Sequence, residues 1–331
     1  MTESHTADRS LQPDRADAAA ESARSAAPPA GQAHAVLHCN INTLAVDRAA
    51  AFHALLFGLD PRMRSVGTDD DSAVMGLGSS TASTTTFLFD QRGPRAAPAV
   101  ELVGWSRPRT EPARPDMVVS AFTALGYRVA SLVVFLARLE ATGHAATEVA
   151  EGLSVRGATC QAVRLTDVDG VVLEVVEMPS AAADPSRVAL LSHERMRCAD
   201  LESTIAWYRG IGWEVRARGE HAAGPTASLV LPEDPTFSLE FEQLPAVAGA
   251  PRPANVQGLY RIALAVDDVR AAHAALVAGN ALGRVPEPVT FSMPDIPTGG
   301  FTVLFLTDPD GAVVELVERP RSTVRRPREP H

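Results

Sequence analysis

The feature that most constrains this chain is a stretch that occurs twice. Residues 166–179 read TDVDGVVLEVVEMP and residues 307–320 read TDPDGAVVELVERP, and nine of their fourteen positions are identical. The Asp-x-Asp-Gly segment predicts a tight turn, because glycine tolerates the left-handed region of φ. The apolar run after the turn predicts a strand buried on both faces. The glutamate inside that strand, Glu174 or Glu315, therefore needs a cation or a metal ion as its partner.

The rest of the chain repeats on a larger scale. A strand, a helix and about three further strands follow one another four times, in residues 34–106, 117–180, 187–244 and 256–320. Each module is too small to bury a core alone, so the modules must pair. We predict an α+β fold of four βαβββ modules, with 34–180 as one domain and 187–320 as a second. In the first module, residues 73–77 are predicted to form a strand.

Composition limits the possible partners and compartments. The net charge of -10 argues against nucleic acid as a partner, and no apolar run is long enough for a transmembrane helix. Three widely spaced cysteines indicate a reducing cytoplasm without a disulfide framework. Residues 1–33 lack the apolar segment of a secretory signal, and we predict disordered tails at 1–33 and 321–331.

Two motifs carry a resemblance to a known family. The closing motif is DPDG followed by a strand with Glu315, and the opening motif is His193 on a strand followed by a helix ending in AWYRGIGW. Over residues 35–320 the chain resembles the vicinal oxygen chelate superfamily, which includes glyoxalase I, bleomycin-resistance proteins, extradiol dioxygenases and fosfomycin-resistance proteins. The resemblance implies modules paired into two half-open barrels, each enclosing one site.

The resemblance also implies two sets of site residues. The first barrel would use His38, Glu101, Arg128 and Glu174, and the second His193, Glu240, Arg261 and Glu315. The two arginines stand where the family often has a second histidine.

A guanidinium cannot bind a metal ion, but it can hold a carboxylate through two hydrogen bonds. The expected cofactor is therefore none, or one divalent ion (Fe, Mn, Ni or Zn) held by His193, Glu240 and Glu315. An iron site of two histidines and one carboxylate, as in extradiol dioxygenases, is disfavoured.

Strand alternation favours the second barrel as the working site. Side chains at i, i+2 and i+4 share a face, so His193 would be joined by Arg195 and Arg197, whereas His38 would be joined only by asparagines. We assign catalytic roles to His193, Arg261 and Glu315. The residues assigned to substrate binding are Arg195, Arg197, Glu240, His38, Glu101, Arg128 and Glu174.

Two functions remain open from the sequence. The first is a lyase, isomerase or cyclase of secondary metabolism, acting on a small oxygenated molecule and stabilising an enolate or oxyanion by a metal ion or by Arg and His. The alternative is a metal-free protein that binds and sequesters a small molecule, and the Arg–Glu pairs and the histidines could also be structural. Either protein would be a monomer or a homodimer whose partner is a small-molecule ligand.

Overall fold

The computed structural model describes residues 31–114, 117, 120–178, 189–245, 251–279, 282, 285–292 and 300–327. All four βαβββ modules are present in this part of the chain. Module 1 contains β1 (Ala35–Asn42), α1 (Val46–Phe57), β2 (Asp60–Asp70), β3 (Thr81–Phe89) and β4 (Ala99–Arg107). Module 2 contains β5 (Phe122–Val129), α2 (Leu132–Ala141), β6 (Glu148–Val155), β7 (Ala158–Thr166) and β8 (Val172–Glu177).

The second half of the chain repeats this order. Module 3 contains β9 (Leu190–Cys198), α3 (Leu201–Gly210), β10 (Glu214–His221), β11 (Gly224–Leu231) and β12 (Asp234–Gln243). Module 4 contains β13 (Gly258–Val266), α4 (Val269–Gly279), β14 (Val289–Ser292), β15 (Gly300–Thr307) and β16 (Val313–Glu318). The α+β fold class and the fourfold module order are as the sequence predicted.

The modules pair differently from the prediction. Sheet 1 has the strand order β14-β15-β16-β13-β1-β4-β3-β2 and joins module 1 to module 4. Sheet 2 has the order β10-β11-β12-β9-β5-β8-β7-β6 and joins module 2 to module 3. Each sheet is joined where two first strands run antiparallel, β1 with β13 and β5 with β9. The proposed domains 34–180 and 187–320 are therefore wrong, because any two first strands can pair and the repeat does not say which do.

The two Asp-x-Asp-Gly turns fasten one sheet to the other. In the turn of module 2, Asp169 accepts hydrogen bonds from the backbone of Leu44 at 3.3 Å and from the side chain of Gln257 at 2.8 Å, both outside its own sheet. In the turn of module 4, Asp310 accepts hydrogen bonds from the backbone of Ala199 at 2.8 Å and from Thr204 Oγ1 at 2.9 Å. The repeated motif thus links modules that lie in different sheets.

One apolar cluster draws residues from all four modules and joins the two sheets. Within it, the ring of Phe57 from α1 stacks on Tyr127 from β5, with ring centroids 4.0 Å apart. The α1 helix ends at Gly58, whose φ of 61° allows its N–H to reach the carbonyl of Ala54. The three cysteines are buried free thiols. No helix in the described ranges is long and apolar enough to cross a membrane.

Two local predictions need correction. Residues 73–75 form a 3₁₀ helix, Ala73–Met75, rather than a strand, because glycines with positive φ at Gly76 and Gly78 turn the chain back on itself. The predicted disordered tail 321–331 is ordered through residue 327: Arg326, with a side chain 1% exposed, donates to Asp234 at 2.8 Å and to the carbonyl of Val36. The buried ion pair of Arg326 with Asp234 holds this basic segment in place. Composition alone does not reveal such a pair. The first 30 residues of the predicted tail, and residues 179–188 between modules 2 and 3, lie outside the described residues.

Candidate ligand site

The structure brings one charged cluster together on sheet 1. Four adjacent strands each contribute one side chain: His38 from β1, Glu101 from β4, Arg261 from β13 and Glu315 from β16. His38 Nε2 lies 3.4 Å from Glu101 and 3.5 Å from Glu315. The cluster mixes the two predicted sites, because modules 1 and 4 share the sheet. We call these four residues site 1.

Arg261 is the centre of site 1. Its Nη2 donates to both carboxylate oxygens of Glu101, at 3.0 and 2.8 Å, and its Nε donates to Glu315 at 2.8 Å. Burial alone would lower the pKa of Arg261, but the two carboxylates raise it above the ordinary value. Burial alone would raise the pKa of Glu315, but Arg261 and then His38 lower it. The predicted contact of Arg261 with Glu315 is present, with Glu101 as an additional partner.

The residues of site 1 do not fit a divalent metal ion. The three possible ligands converge, but the guanidinium of Arg261 already pairs with both carboxylates and places a cation where a metal ion would be repelled. Within the described ranges, no group of three His, Cys, Asp or Glu side chains is arranged to hold a metal ion. We therefore derive no chemical step through a metal ion.

Site 1 keeps some access to solvent. The side chains of His38 and Arg261 are 12% and 10% exposed, although Nε2 of His38 is itself buried and has no hydrogen-bond partner among the described residues. A cleft of about 560 Å³ separates the outermost strands β2 and β14 of sheet 1. The residues lining the cleft are Asp69, Asp70, Asp71, Ala73, Val74, Val289, Thr290 and Phe291. Met75, in the same 3₁₀ helix as Val74, has its sulfur 3.9 Å from Nη1 of Arg261, so this helix lies between the cleft and the site.

The corresponding cluster on sheet 2 has a fully buried core. His193 Nε2 lies 3.1 Å from Glu174, and these side chains are 0% and 1% exposed. Arg195 Nε donates to both oxygens of Glu174 at 2.9 Å, and Arg164 Nη2 donates to the same carboxylate at 2.8 Å. Despite burial, these partners hold the pKa of Glu174 well below its usual range. Burial lowers the pKa of His193, although Glu174 partly opposes this shift.

Glu240 and Glu242 are also satisfied by protein groups. Glu240 accepts from Ser238 at 2.6 Å, from Ser228 and from the backbone N–H of Arg156 at 2.9 Å. Glu242 accepts from Arg195 at 2.9 Å. We call His193, Glu174, Arg195, Arg164 and Glu240 site 2. The predicted metal set His193, Glu240 and Glu315 is wrong, because Glu315 belongs to site 1 on the other sheet.

Arg128 does not take the predicted place beside Glu174. His38 lies opposite Ala263 on β13, and His193 lies opposite Gly126 on β5, so the counterpart of Arg261 is Ala124. The guanidinium in site 2 comes instead from Arg195, two residues after the histidine. At that position site 1 has Asn40, which donates to Glu101 at 3.0 Å.

Arg197, predicted as a third member of the same face, is half-buried, and burial lowers its pKa. The guanidinium groups that donate hydrogen bonds to the glutamates of site 2 belong to Arg195 and Arg164. Arg197 remains a prediction as a substrate-binding residue.

The cross-strand neighbours of the glutamates explain why the two sites differ. Glu101 and Glu315 in site 1 lie opposite Phe87 and Phe305. In site 2, Glu174 lies opposite Arg164, and Glu240 opposite Ser228. Phenylalanine cannot hydrogen-bond a carboxylate, so the glutamates of site 1 depend on Arg261, whereas those of site 2 are also held by their cross-strand neighbours. Arg164 and Ser228 carry no sequence signal for these roles, because the roles follow from strand register.

Gly126 makes room for the ring of His193. A Cβ at position 126 would lie 2.1 Å from Cε1 of His193, far inside contact distance. We expect Gly126→Ala to destabilise the protein by about 2 kcal/mol, because the ring must move in a fully buried site. Urea denaturation measures the change. Gly279→Ala is the matched control, since nothing lies within 4 Å of its new Cβ; equal effects of the two substitutions would contradict this packing.

Comparison with known proteins agrees with this architecture. Residues 190–316 match the family model described as the Glyoxalase/Bleomycin resistance protein/Dioxygenase superfamily. Glyoxalase I from Zea mays is similar in structure, with a TM-score of 0.63, 20% identity, and coverage of 86% of this chain and 92% of that chain. A putative dioxygenase from Bacillus subtilis subsp. subtilis str. 168 has a TM-score of 0.61 and 14% identity, over 86% of this chain and 85% of that one. A comparison with curated proteins gives no match.

The fold and the two sites define a class of proteins in which βαβββ modules pair into curved sheets. Each sheet carries one polar cluster. The resemblance to this superfamily that the motifs predicted is confirmed for residues 190–316, across modules 3 and 4. The similarity to the solved structures, at 20% and 14% identity, establishes the fold and not the reaction.

Proposed function

We propose that the protein is a glyoxalase-like enzyme of this superfamily whose working site is site 1. The observation that carries the proposal is the contrast between the two clusters. The side chains of His38 and Arg261 in site 1 are 12% and 10% exposed and lie near a cleft, whereas those of His193 and Glu174 in site 2 are 0% and 1% exposed. This moves the working site away from the His193 cluster that strand alternation favoured.

The charge of site 1 selects the kind of substrate. Glu101 and Glu315 carry two negative charges against the single positive charge of Arg261. A carboxylic acid would add a third negative charge to a partly desolvated cluster, which is unfavourable. A neutral molecule with hydroxyl and carbonyl oxygens fits better, and its apolar part would contact Phe87 and the valines of the cleft.

Arg261 and His38 then have distinct roles. Nη1 of Arg261, whose neighbour is the sulfur of Met75, is the donor left to bind a carbonyl oxygen and stabilise the enolate formed from it. The imidazole of His38 moves the proton on the adjacent carbon, and the two glutamates, 3.4 and 3.5 Å from its Nε2, keep the ring oriented. The reaction class is proton transfer next to a carbonyl, as in an isomerase or lyase.

A second candidate is a metal-free binding protein. The apolar cluster beside site 1 favours it: Val74, Met75 and Leu77 pack with Tyr260 and Phe305 near Arg261, as they would around a bound apolar ligand. Such a protein would hold the same kind of molecule without transferring a proton. Binding alone therefore does not separate the two functions, and a chemical readout is needed.

Deuterium exchange separates the two functions. In D₂O, we expect the wild type to exchange the α-hydrogens of at least one member of a panel of hydroxyacetone, dihydroxyacetone and acetoin, followed by proton NMR. His38→Gln should reduce exchange by about 100-fold or more, since it removes a general base. The control His193→Gln should not slow exchange in molecules that stay folded. Thermal stabilisation by a panel member without exchange would support the binding protein, and absence of both would contradict the proposed function.

A further inference from the structure

A buried arginine occupies the tip of a hairpin in module 2. Arg156 joins β6 to β7, yet it is only 6% exposed, although hairpin tips commonly face solvent. Its φ is 52°, and no other non-glycine residue in the described ranges has a positive φ. This conformation is costly for a side chain with a Cβ, and glycine or asparagine is the common choice in such turns. The contacts of the arginine must offset this cost.

Those contacts form a complete cradle for a guanidinium. Nη1 of Arg156 donates to the carbonyls of Ser192 at 3.0 Å and Thr236 at 3.2 Å, and to the hydroxyls of Ser192 at 3.3 Å and Ser238 at 3.5 Å. Nη2 contacts the sulfur of Met178 at 3.4 Å. Most of these groups belong to β9 and β12, the strands that carry His193 and Glu240.

The carboxylate of Glu240 binds the backbone of the same turn. It accepts the backbone N–H of Arg156 at 2.9 Å and is 3% exposed. The same turn closes sheet 2, since a Cβ on Gly157 would lie 2.6 Å from Ala217 on β10, the strand at the far edge. The guanidinium of Arg156, at the hairpin tip, thus lies on the polar face of sheet 2.

We propose that the polar face of sheet 2 is a cation-binding pocket occupied by the protein's own Arg156, and that a small guanidinium or amidinium ion binds there when this side chain is removed. The pocket offers two carbonyl and two hydroxyl acceptors, which suit a planar cation with several N–H donors. The inference is independent of the function proposed for site 1. It also means that the wild-type chain has one available ligand site rather than two.

The test is rescue of Arg156→Gly by a small cation. Glycine keeps the positive φ without strain, so the substitution removes only the side chain. We expect the melting temperature to fall by roughly 5 °C, and methylguanidinium at millimolar concentration to restore at least half of that loss with saturation. N-methylurea, a neutral molecule of the same shape, should restore none of it. Wild type should show no stabilisation by either compound.

Arg218→Ala is the matched control. Arg218 pairs with Glu202 at the surface, with side chains 47% and 70% exposed, so its loss should change the melting temperature little and show no rescue. If Arg156→Gly does not accumulate as folded protein, its refolding yield with methylguanidinium becomes the readout, and the yield should rise. Absence of saturable rescue in both assays, or equal rescue by N-methylurea, would overturn the proposal.

Discussion

Replacing Arg261 with methionine should destabilise the protein by about 3 to 5 kcal/mol at pH 7. The guanidinium is 10% exposed and donates hydrogen bonds to two glutamates whose side chains are each 5% exposed. Methionine fills similar space but leaves Glu101 and Glu315 facing each other without a cation. Urea denaturation at pH 7 measures the loss of the free energy of unfolding.

The loss should also depend on pH in a defined direction. In the variant, burial and mutual repulsion raise the pKa of at least one glutamate above its unfolded value. Stability is then retained at low pH, where that group is protonated, and is lost as pH rises through the folded pKa. The cost of Arg261→Met should therefore be smaller at pH 4.5 than at pH 8.

Two further variants make the result specific. Adding Glu101→Gln and Glu315→Gln to Arg261→Met should recover most of the lost stability, because it removes the stranded charges. Arg218→Met, at the exposed pair with Glu202, should change stability by less than about 1 kcal/mol. A cost of Arg261→Met no larger than that of Arg218→Met would mean that the three charged groups do not form a buried cluster in solution.

The second large effect is expected at Glu194, on the face of β9 opposite His193. This carboxyl is 0% exposed, and neither of its oxygens has a hydrogen-bond partner among the described residues, although the Cys39 thiol lies close by. Burial raises its pKa to about 8. The folded protein therefore keeps a proton that the unfolded chain loses near its ordinary pKa of 4.5.

Because the folded pKa is raised, the stabilisation is complete below pH 4.5 and is lost as pH rises to about 8. At about 1.4 kcal/mol per pKa unit, the loss is roughly 5 kcal/mol. The measurement is urea denaturation at several pH values between 4.5 and 9. Glu194→Gln is the control: it should lack this decline while sharing the pH dependence of all other groups. Parallel pH profiles of the two proteins would show that Glu194 is already ionised or solvated in the native state.

The sequence predicts the modules far better than their pairing. Each Asp-x-Asp-Gly turn and each apolar strand with its glutamate is determined by local chemistry, and Glu101, Glu174, Glu240 and Glu315 all lie in central buried strands. Pairing depends on which first strands meet, and β1, β5, β9 and β13 all offer similar edges. The correct partners, β13 for β1 and β9 for β5, follow from contacts of the whole chain.

The composition of the two clusters was predictable only in part. His38, Glu101, Arg261 and Glu315 were all identified from motifs, but they were divided between two sites. Arg164 and Arg156 were not identified, because one acts through cross-strand register with Glu174 and the other through the reach of a hairpin tip.

The two clusters carry their guanidinium on different strands. Site 1 has Arg261 on β13 with Asn40 on β1, and site 2 has Ala124 on β5 with Arg195 on β9. In both cases one guanidinium holds both oxygens of a buried glutamate. Either first strand can therefore supply the guanidinium that a buried glutamate needs. We infer that the charge balance of the cluster matters more than which strand carries the arginine.

We propose that Arg261 takes the place of a metal ion in site 1. The most direct test is elemental analysis of purified wild type and of Arg261→His. Each protein is first incubated with equimolar Fe, Mn, Ni or Zn, and the excess ion is then removed. We predict no stoichiometric metal in the wild type and about one equivalent in Arg261→His, because imidazole joins His38, Glu101 and Glu315 as a ligand. One equivalent in the wild type that disappears in Glu315→Gln would contradict the claim.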